Sequence, residues 1–308
     1  MRRATGIAGL ILAAALLWGA TASPAAPRCF GAAARDAQRD CYNPRLRLVV
    51  RPTPDEAVLT PNLDCTREQV SEVLDECAYG VRAARASDTV VMAGDSHAAH
   101  WRAAMAVVAR RKSWHVVEVA RPHCPLSAAL PDSGEPISSR CIAWNGQVAD
   151  WLADHPEVRT VFVSANAQAP IVVPPGQSEY ATRVKGFVKS WSALPASVQR
   201  IIVIRDNPTD RTRTHDCIRR AVKHHQPPAP ACRTPRRRML PRDAAVTAAR
   251  RLRDRGARVV DLTRYFCGRR HCFPVVGGAL VHKDVDHLTQ EFARTLGPFL
   301  LRRIDRLR

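Results

Sequence analysis

The chain has 308 residues, enough for one large domain with a full core or for two small ones. Its formal net charge is +19, and only five of its 47 basic residues are lysine. That charge would suit nucleic acid, but no recognisable nucleic-acid fold motif accompanies it, so nucleic acid is set aside as a partner.

The first residues read as a secretory signal peptide over 1–22. Arg2 and Arg3 make a positive start, residues 7–18 are apolar, and Ala20-Thr21-Ala22 is a small-x-small cleavage site. The apolar run is short for a membrane span; an uncleaved anchor is the alternative. Cys29 follows Pro27-Arg28, which is not a lipoprotein signal. The expected location is secreted or extracytoplasmic. All ten cysteines, at 29, 41, 65, 77, 124, 141, 217, 232, 267 and 272, lie beyond the leader. An even number in a secreted chain predicts disulfides. Pairing of sequence neighbours is the simplest arrangement, and sequence alone leaves the connectivity open. Cys267, His271 and Cys272 also allow a metal reading, but their spacing fits no zinc pattern, so no metal is expected.

Residues 23–86 hold four cysteines and several prolines with little regular pattern beyond a helical stretch at 67–76. They are expected to form a disulfide-stapled extension packed on a main domain, 87–308. From Asp88 short apolar strands alternate with helical segments. Strand "TVVMAG" (89–94) precedes helix 97–112, and strand "WHVVEVA" (114–120) follows. Helix 142–154 leads to strand 158–164, helix 178–193 to strand 200–205, and helix 241–255 to strand 257–262. A loop at 206–240 is rich in Pro, Arg and His, and helix 289–302 closes the chain. About five buried strands with helices between them predict a three-layer, doubly wound parallel α/β sheet.

Ligands of such sheets bind at the C-terminal ends of the strands. "GDSHA" (94–98) places Ser96 just past the first strand. The plain reading is a strand-to-helix turn with a serine N-cap. The functional one is a nucleophile, which needs a base and a group that orients it. "HKDVDHLT" (282–289) offers both, with Asp284 three residues before His287. Asp286 is a competing carboxylate, although adjacent side chains seldom meet. Helix N-terminal amides behind Ser96 would favour an oxyanion.

"GDSHA" together with "DVDHLT" (284–289) resembles the SGNH/GDSL hydrolase superfamily, and in particular the SGNH domains fused to bacterial acyltransferase-3 membrane proteins. "ECAYG" (76–80), "HCPL" (123–126) and "FPVVGGALVHKDVDHLT" (273–289) extend the likeness over roughly residues 41–302. The resemblance implies a flavodoxin-like SGNH fold, with Ser96 as nucleophile, His287 as base, Asp284 as its partner and the Ser96 amide as an oxyanion donor. Asn166, in "VSANAQ" (163–168), stands where the family places an oxyanion asparagine, although the usual Gly-x-Asn pattern is missing; the alternative is an ordinary loop residue. No glycine in 121–134 matches the family's glycine donor well. His97 either lines the site or packs. Asp206, in "RDNP" (205–208), either contacts substrate or makes a turn.

The resemblance implies a serine esterase or O-acyltransferase acting on small acyl esters of cell-envelope glycans, with no cofactor. A membrane acyltransferase is the implied donor partner, and the basic clusters "RTPRRR" (233–238) and "RRLRDRGAR" (250–258) suit an anionic envelope polymer. A solvated basic face is the plain alternative. An α/β-hydrolase would want G-x-S-x-G, and Ala98 stands at the last position. A module with this fold that only binds anionic polymers is the reading from another class.

Overall fold

A computed structural model describes residues 27–307. The signal peptide predicted at 1–22 lies outside them. The chain builds one seven-stranded sheet from β1 (Thr66–Gln69), β2 (Asp75–Gly80), β3 (Asp88–Gly94), β4 (Trp114–Ala120), β5 (Thr160–Ser164), β6 (Arg200–Ile204) and β7 (Ala257–Val260), in the order β1-β2-β4-β3-β5-β6-β7. The last five positions are parallel, as the alternation of strands and helices predicted. They are apolar on both sides because both sides are covered. Val90, Met92, Phe162 and Ile202 pack on one face against α1 (Arg102–Lys112) and α6 (Gln290–Ile304). Val91, Ala93, Val161 and Val203 pack on the other against α2 (Ile137–Asp154), α3 (Glu179–Ser192) and α5 (Ala244–Arg251). Each buried Val, Ile or Phe in these layers contributes about 1.5–3 kcal/mol.

Two expectations are corrected. The stretch 67–76 is no helix; it forms β1, a turn and the start of β2, an antiparallel hairpin that joins the sheet through β4. The reason lies in the Cys65–Cys77 bridge. Its Cα atoms are 5.4 Å apart across 12 residues, whereas a helix of that length would separate them by about 18 Å. The turn is fixed by Ser71, whose hydroxyl accepts the amides of Val73 and Leu74, and both apolar side chains enter the core. The hairpin thus adds two antiparallel strands to the five parallel ones. The second correction concerns 206–240, which contains α4 (Thr214–Lys223).

All ten cysteines are paired as neighbours: 29–41, 65–77, 124–141, 217–232 and 267–272. Cys267 and Cys272 are thus unavailable to a metal. Loops of this size are each worth up to about 3 kcal/mol through the unfolded chain. A charged pair is buried between α1 and β4. Arg102 of α1 meets Glu118 of β4 through two bonds, Nε to Oε2 at 2.9 Å and Nη2 to Oε1 at 2.6 Å, which satisfies a buried carboxylate on the otherwise apolar middle of β4.

Candidate active site

The corner between β3 and the next helix is built by three residues in a row. Gly94 ends β3 at φ +147°, and a Cβ there would lie 2.0 Å from the Ser164 carbonyl oxygen on β5. Only glycine lets the two strands stay paired to their ends. Asp95 follows in an extended conformation and is the N-cap of the short helix Ser96–Ala99; its Oδ1 accepts the His97 amide at 2.8 Å. Its Oδ2 accepts the Asn166 amide at 2.9 Å, so one buried carboxylate ties the ends of β3 and β5 together. Burial pushes its pKa up. The cap is thus Asp95, and Ser96 is the first residue of the helix, where backbone N–H groups have no intrahelical acceptor. Its hydroxyl stands half-buried above the sheet at the point where the connections reverse direction.

The loop before α6 brings the base. His282 bridges to Leu288, and the Lys283 amide donates to the His287 carbonyl at 2.9 Å, so residues 283–287 curl into a tight lobe. The 206–240 segment grips that lobe: Asn207 Nδ2 donates to the Asp286 carbonyl at 2.8 Å, and the Asp210 amide donates to that of Val285. His287 Nε2 stands 2.7 Å from Ser96 Oγ, and its Nδ1 stands 2.9 Å from Asp284 Oδ2. Asp284 Oδ1 accepts the amides of Asp286 and His287 at 3.0 and 2.8 Å. Ser96 and Asp284, predicted from two distant motifs, therefore stand on the two ring nitrogens of His287. Asp286 was discounted on the ground that adjacent side chains seldom meet. In the tight lobe they do: Asp286 Oδ1 lies 3.1 Å from His287 Nδ1. Burial disfavours the charged His287 ring, but its bonds to Asp284 and Asp286 outweigh this and raise its pKa to about 9. Burial raises Asp284, but the His287 ring and the amides of residues 286 and 287 together outweigh it; His287 and then His97 lower Asp286 against a smaller effect of burial, and both carboxylates stay below the usual range.

The other predicted residues lie around this line. Asn166 is half-buried at the end of β5, and its Nδ2 donates to Asp286 Oδ2 at 3.2 Å. That nitrogen carries a second N–H. His97 and Asp206 lie beneath the site, not on a surface that a substrate could reach. Both are buried, with His97 Nδ1 2.7 Å from Asp206 Oδ1. Asp206 Oδ2 also accepts the Ala167 amide at 2.8 Å. Substrate contact by these two, one of the alternatives read from the sequence, does not fit that placement.

A cleft of about 460 Å³ opens beside Ser96. Its walls include Arg67 of the edge hairpin, Arg102, the segment 121–123 after β4, and Arg140 at the start of α2. Arg102 is neutralised by Glu118, and Asp75 adds an opposing charge. The bridges 65–77 and 124–141 hold the hairpin and the 121–140 wall on their two sides. Among the described residues, ligand atoms of His97, Asp286 and His287 lie within 4.8 Å of one another and could be drawn around a cation. His97 Nδ1 is engaged with Asp206, and His287 with Ser96 and Asp286.

An α/β sheet with a serine at the switch point, a histidine on its hydroxyl and an aspartate on that histidine is compatible with an SGNH-type domain. The chain belongs to the SGNH domain family described as fused to AT3 domains, which matches residues 64–302. No curated protein sequence matches the chain. Among solved structures, the periplasmic domain of a Salmonella ser. Paratyphi A lipopolysaccharide acetyltransferase shares the fold at a TM-score of 0.50 and 12% identity, over 73% of this chain and 88% of that one. A point mutant of the esterase rPPE is less similar, with a TM-score of 0.37 and 13% identity over 83% of this chain and 88% of that one.

Proposed function

We propose that the protein is an extracytoplasmic serine O-acyltransferase or esterase acting on small acyl esters of cell-envelope glycans. The observation that carries this is the 2.7 Å approach of His287 Nε2 to Ser96 Oγ with Asp284 behind the ring. In the first half-reaction Ser96 Oγ attacks the ester carbonyl as its proton passes to His287 Nε2. The oxyanion faces the Ser96 amide and the second N–H of Asn166 Nδ2. Collapse breaks the bond to the alcohol, which leaves with the proton from His287, and an acyl-Ser96 ester remains. In the second half an incoming hydroxyl gives its proton to His287, attacks the acyl carbonyl and releases Ser96. The family's fusion to membrane AT3 domains supports a membrane acyltransferase as donor partner. Five disulfides support an oxidising, extracytoplasmic setting. No described helix is long and apolar enough to cross a membrane.

Hydrolase and transferase share the first half and differ in the acceptor. The half-exposed cleft with Arg67 and Arg140 on its walls supports a glycan hydroxyl on an anionic polymer. The test follows an acyl group from 4-nitrophenyl acetate in the presence of envelope oligosaccharides, read by mass. Acylated sugar at millimolar acceptor is expected against water at about 55 M, because a bound acceptor has a large effective concentration. Free acetate alone, with every oligosaccharide tried, would identify an esterase that strips acyl groups.

A further inference from the structure

We propose that Asp286 is a second orienting carboxylate for His287 and that the buried pair His97–Asp206 holds it in place. A chain Ser96–His287–Asp286–His97–Asp206 then runs beside the triad that ends on Asp284. The inference rests on the reading of His287 as the base.

The geometry is that of one N–H shared between two carboxylates. His287 Nδ1 lies 2.9 Å from Asp284 Oδ2 and 3.1 Å from Asp286 Oδ1. Two carboxylates so placed repel each other, and each needs its other oxygen anchored. Asp284 has the amides of residues 286 and 287 for this. Asp286 Oδ2 has Asn166 Nδ2 at 3.2 Å and faces His97 Nε2 at 3.7 Å.

His97 Nε2 is buried and makes no hydrogen bond among the described residues. With Nδ1 donating to Asp206, a neutral His97 would point a lone pair at Asp286. A protonated ring points an N–H at it. Burial works against that charge. The charge and bond of Asp206, the nearby carboxylate of Asp286 and the charge of Asp95 outweigh burial and raise His97 well above its ordinary value. His100 is the remaining titratable ring against His97, with centroids 4.8 Å apart. Burial first, then the charge of His97, hold it far below its usual value, so it stays neutral. Asp243 stands behind Asp206, whose amide donates to Asp243 Oδ2 at 3.0 Å. His97 thus stands between the carboxylates of Asp206 and Asp286, which favour its protonated form.

The consequence concerns the strength of the base. Two carboxylates on His287 stabilise the imidazolium formed when it takes the Ser96 proton. The cation behind Asp286 draws on one of them and moderates the effect. Removing Asp286 and removing His97 should therefore move the His287 titration in opposite directions. A residue that merely supports the fold would not produce paired shifts of opposite sign.

The experiment measures kcat/KM for 4-nitrophenyl acetate against pH, together with histidine 15N NMR of His287, in the full chain and two variants. In Asp286→Asn the acid limb should move down by about one pH unit; in His97→Gln it should move up by roughly half a unit. Asp284→Asn should keep residual turnover that falls a further tenfold or so when Asp286→Asn is added. If His97→Gln does not fold, Asp206→Asn tests the same arm and should shift the limb the same way. An unmoved His287 titration in folded Asp286→Asn, or shifts of one sign in both arms, overturns the proposal. The NMR titration needs no turnover. A wild-type protein inert to every ester but with opposed shifts would therefore sink the enzyme reading and leave this one standing.

Discussion

Ser96→Ala is expected to lower turnover of a small activated ester by roughly 10⁴- to 10⁶-fold, as loss of a triad nucleophile does elsewhere. The substitution removes the one atom that can form the acyl-enzyme and leaves the rest of the site in place. His287 keeps both carboxylates, and the Ser96 position keeps its amide, so a small residual rate from the oxyanion donors should remain. The fold should be indifferent. Ser96 is the first residue of a short helix capped by Asp95, and its hydroxyl contacts His287 rather than the core. The expected stability change is within about 0.5 kcal/mol. An ester-release assay beside a thermal melt reads both quantities. Full turnover in the folded variant would remove Ser96 from the mechanism.

Gly94→Ala should have the largest effect on stability. The added Cβ would meet the Ser164 carbonyl oxygen at 2.0 Å and the Ala98 Cβ at 3.1 Å, at a φ of +147° that L-residues rarely adopt. Neither neighbour is the free end of a flexible side chain. β3 and β5 would have to part where Gly94 pairs with Ser164. The strain should cost about 4 kcal/mol or more, and so lower the melting midpoint by roughly 10 °C or more. Activity should fall as well, because the same movement displaces Asp95 and the serine it positions. Gly146 is the control. It lies in α2 with nothing within 4 Å of its Cβ position, and Gly146→Ala should stabilise by up to about 1 kcal/mol. Equal melting behaviour in the two variants would show that the close approach at Gly94 is not what fixes this corner.

The parallel sheet was legible because its strands are continuous β-branched runs, which buried strands need on both faces. The edge hairpin was not. "TREQ" at 66–69 is fully exposed, so it has no apolar alternation to mark it as a strand, and a covalent bridge between distant cysteines decides its shape. The candidate triad could be proposed from sequence because each half is a local motif, and the structure brings the two halves together at the strand ends of one α/β sheet. Asp286 could not, since its contact with His287 depends on the lobe closed by the His282–Leu288 bridge and held by Asn207. His97 and Asp206 lie near the candidate site but face inward, buried beneath it. Sequence shows that a polar residue sits near a strand end and does not show which way it faces. Asp95 was overlooked beside a more reactive neighbour, although Asp before a helix is among the strongest capping signals.

The central claim is that Ser96 is a nucleophile activated by His287. A fluorophosphonate that mimics the tetrahedral intermediate, followed by peptide mass mapping, tests it most directly and needs no knowledge of the natural acyl group or acceptor. One adduct per chain is expected, on Ser96, formed quickly in the wild-type protein and slowed by at least about a thousandfold in His287→Ala. No adduct in the folded wild-type protein, or an adduct on another residue, would contradict it.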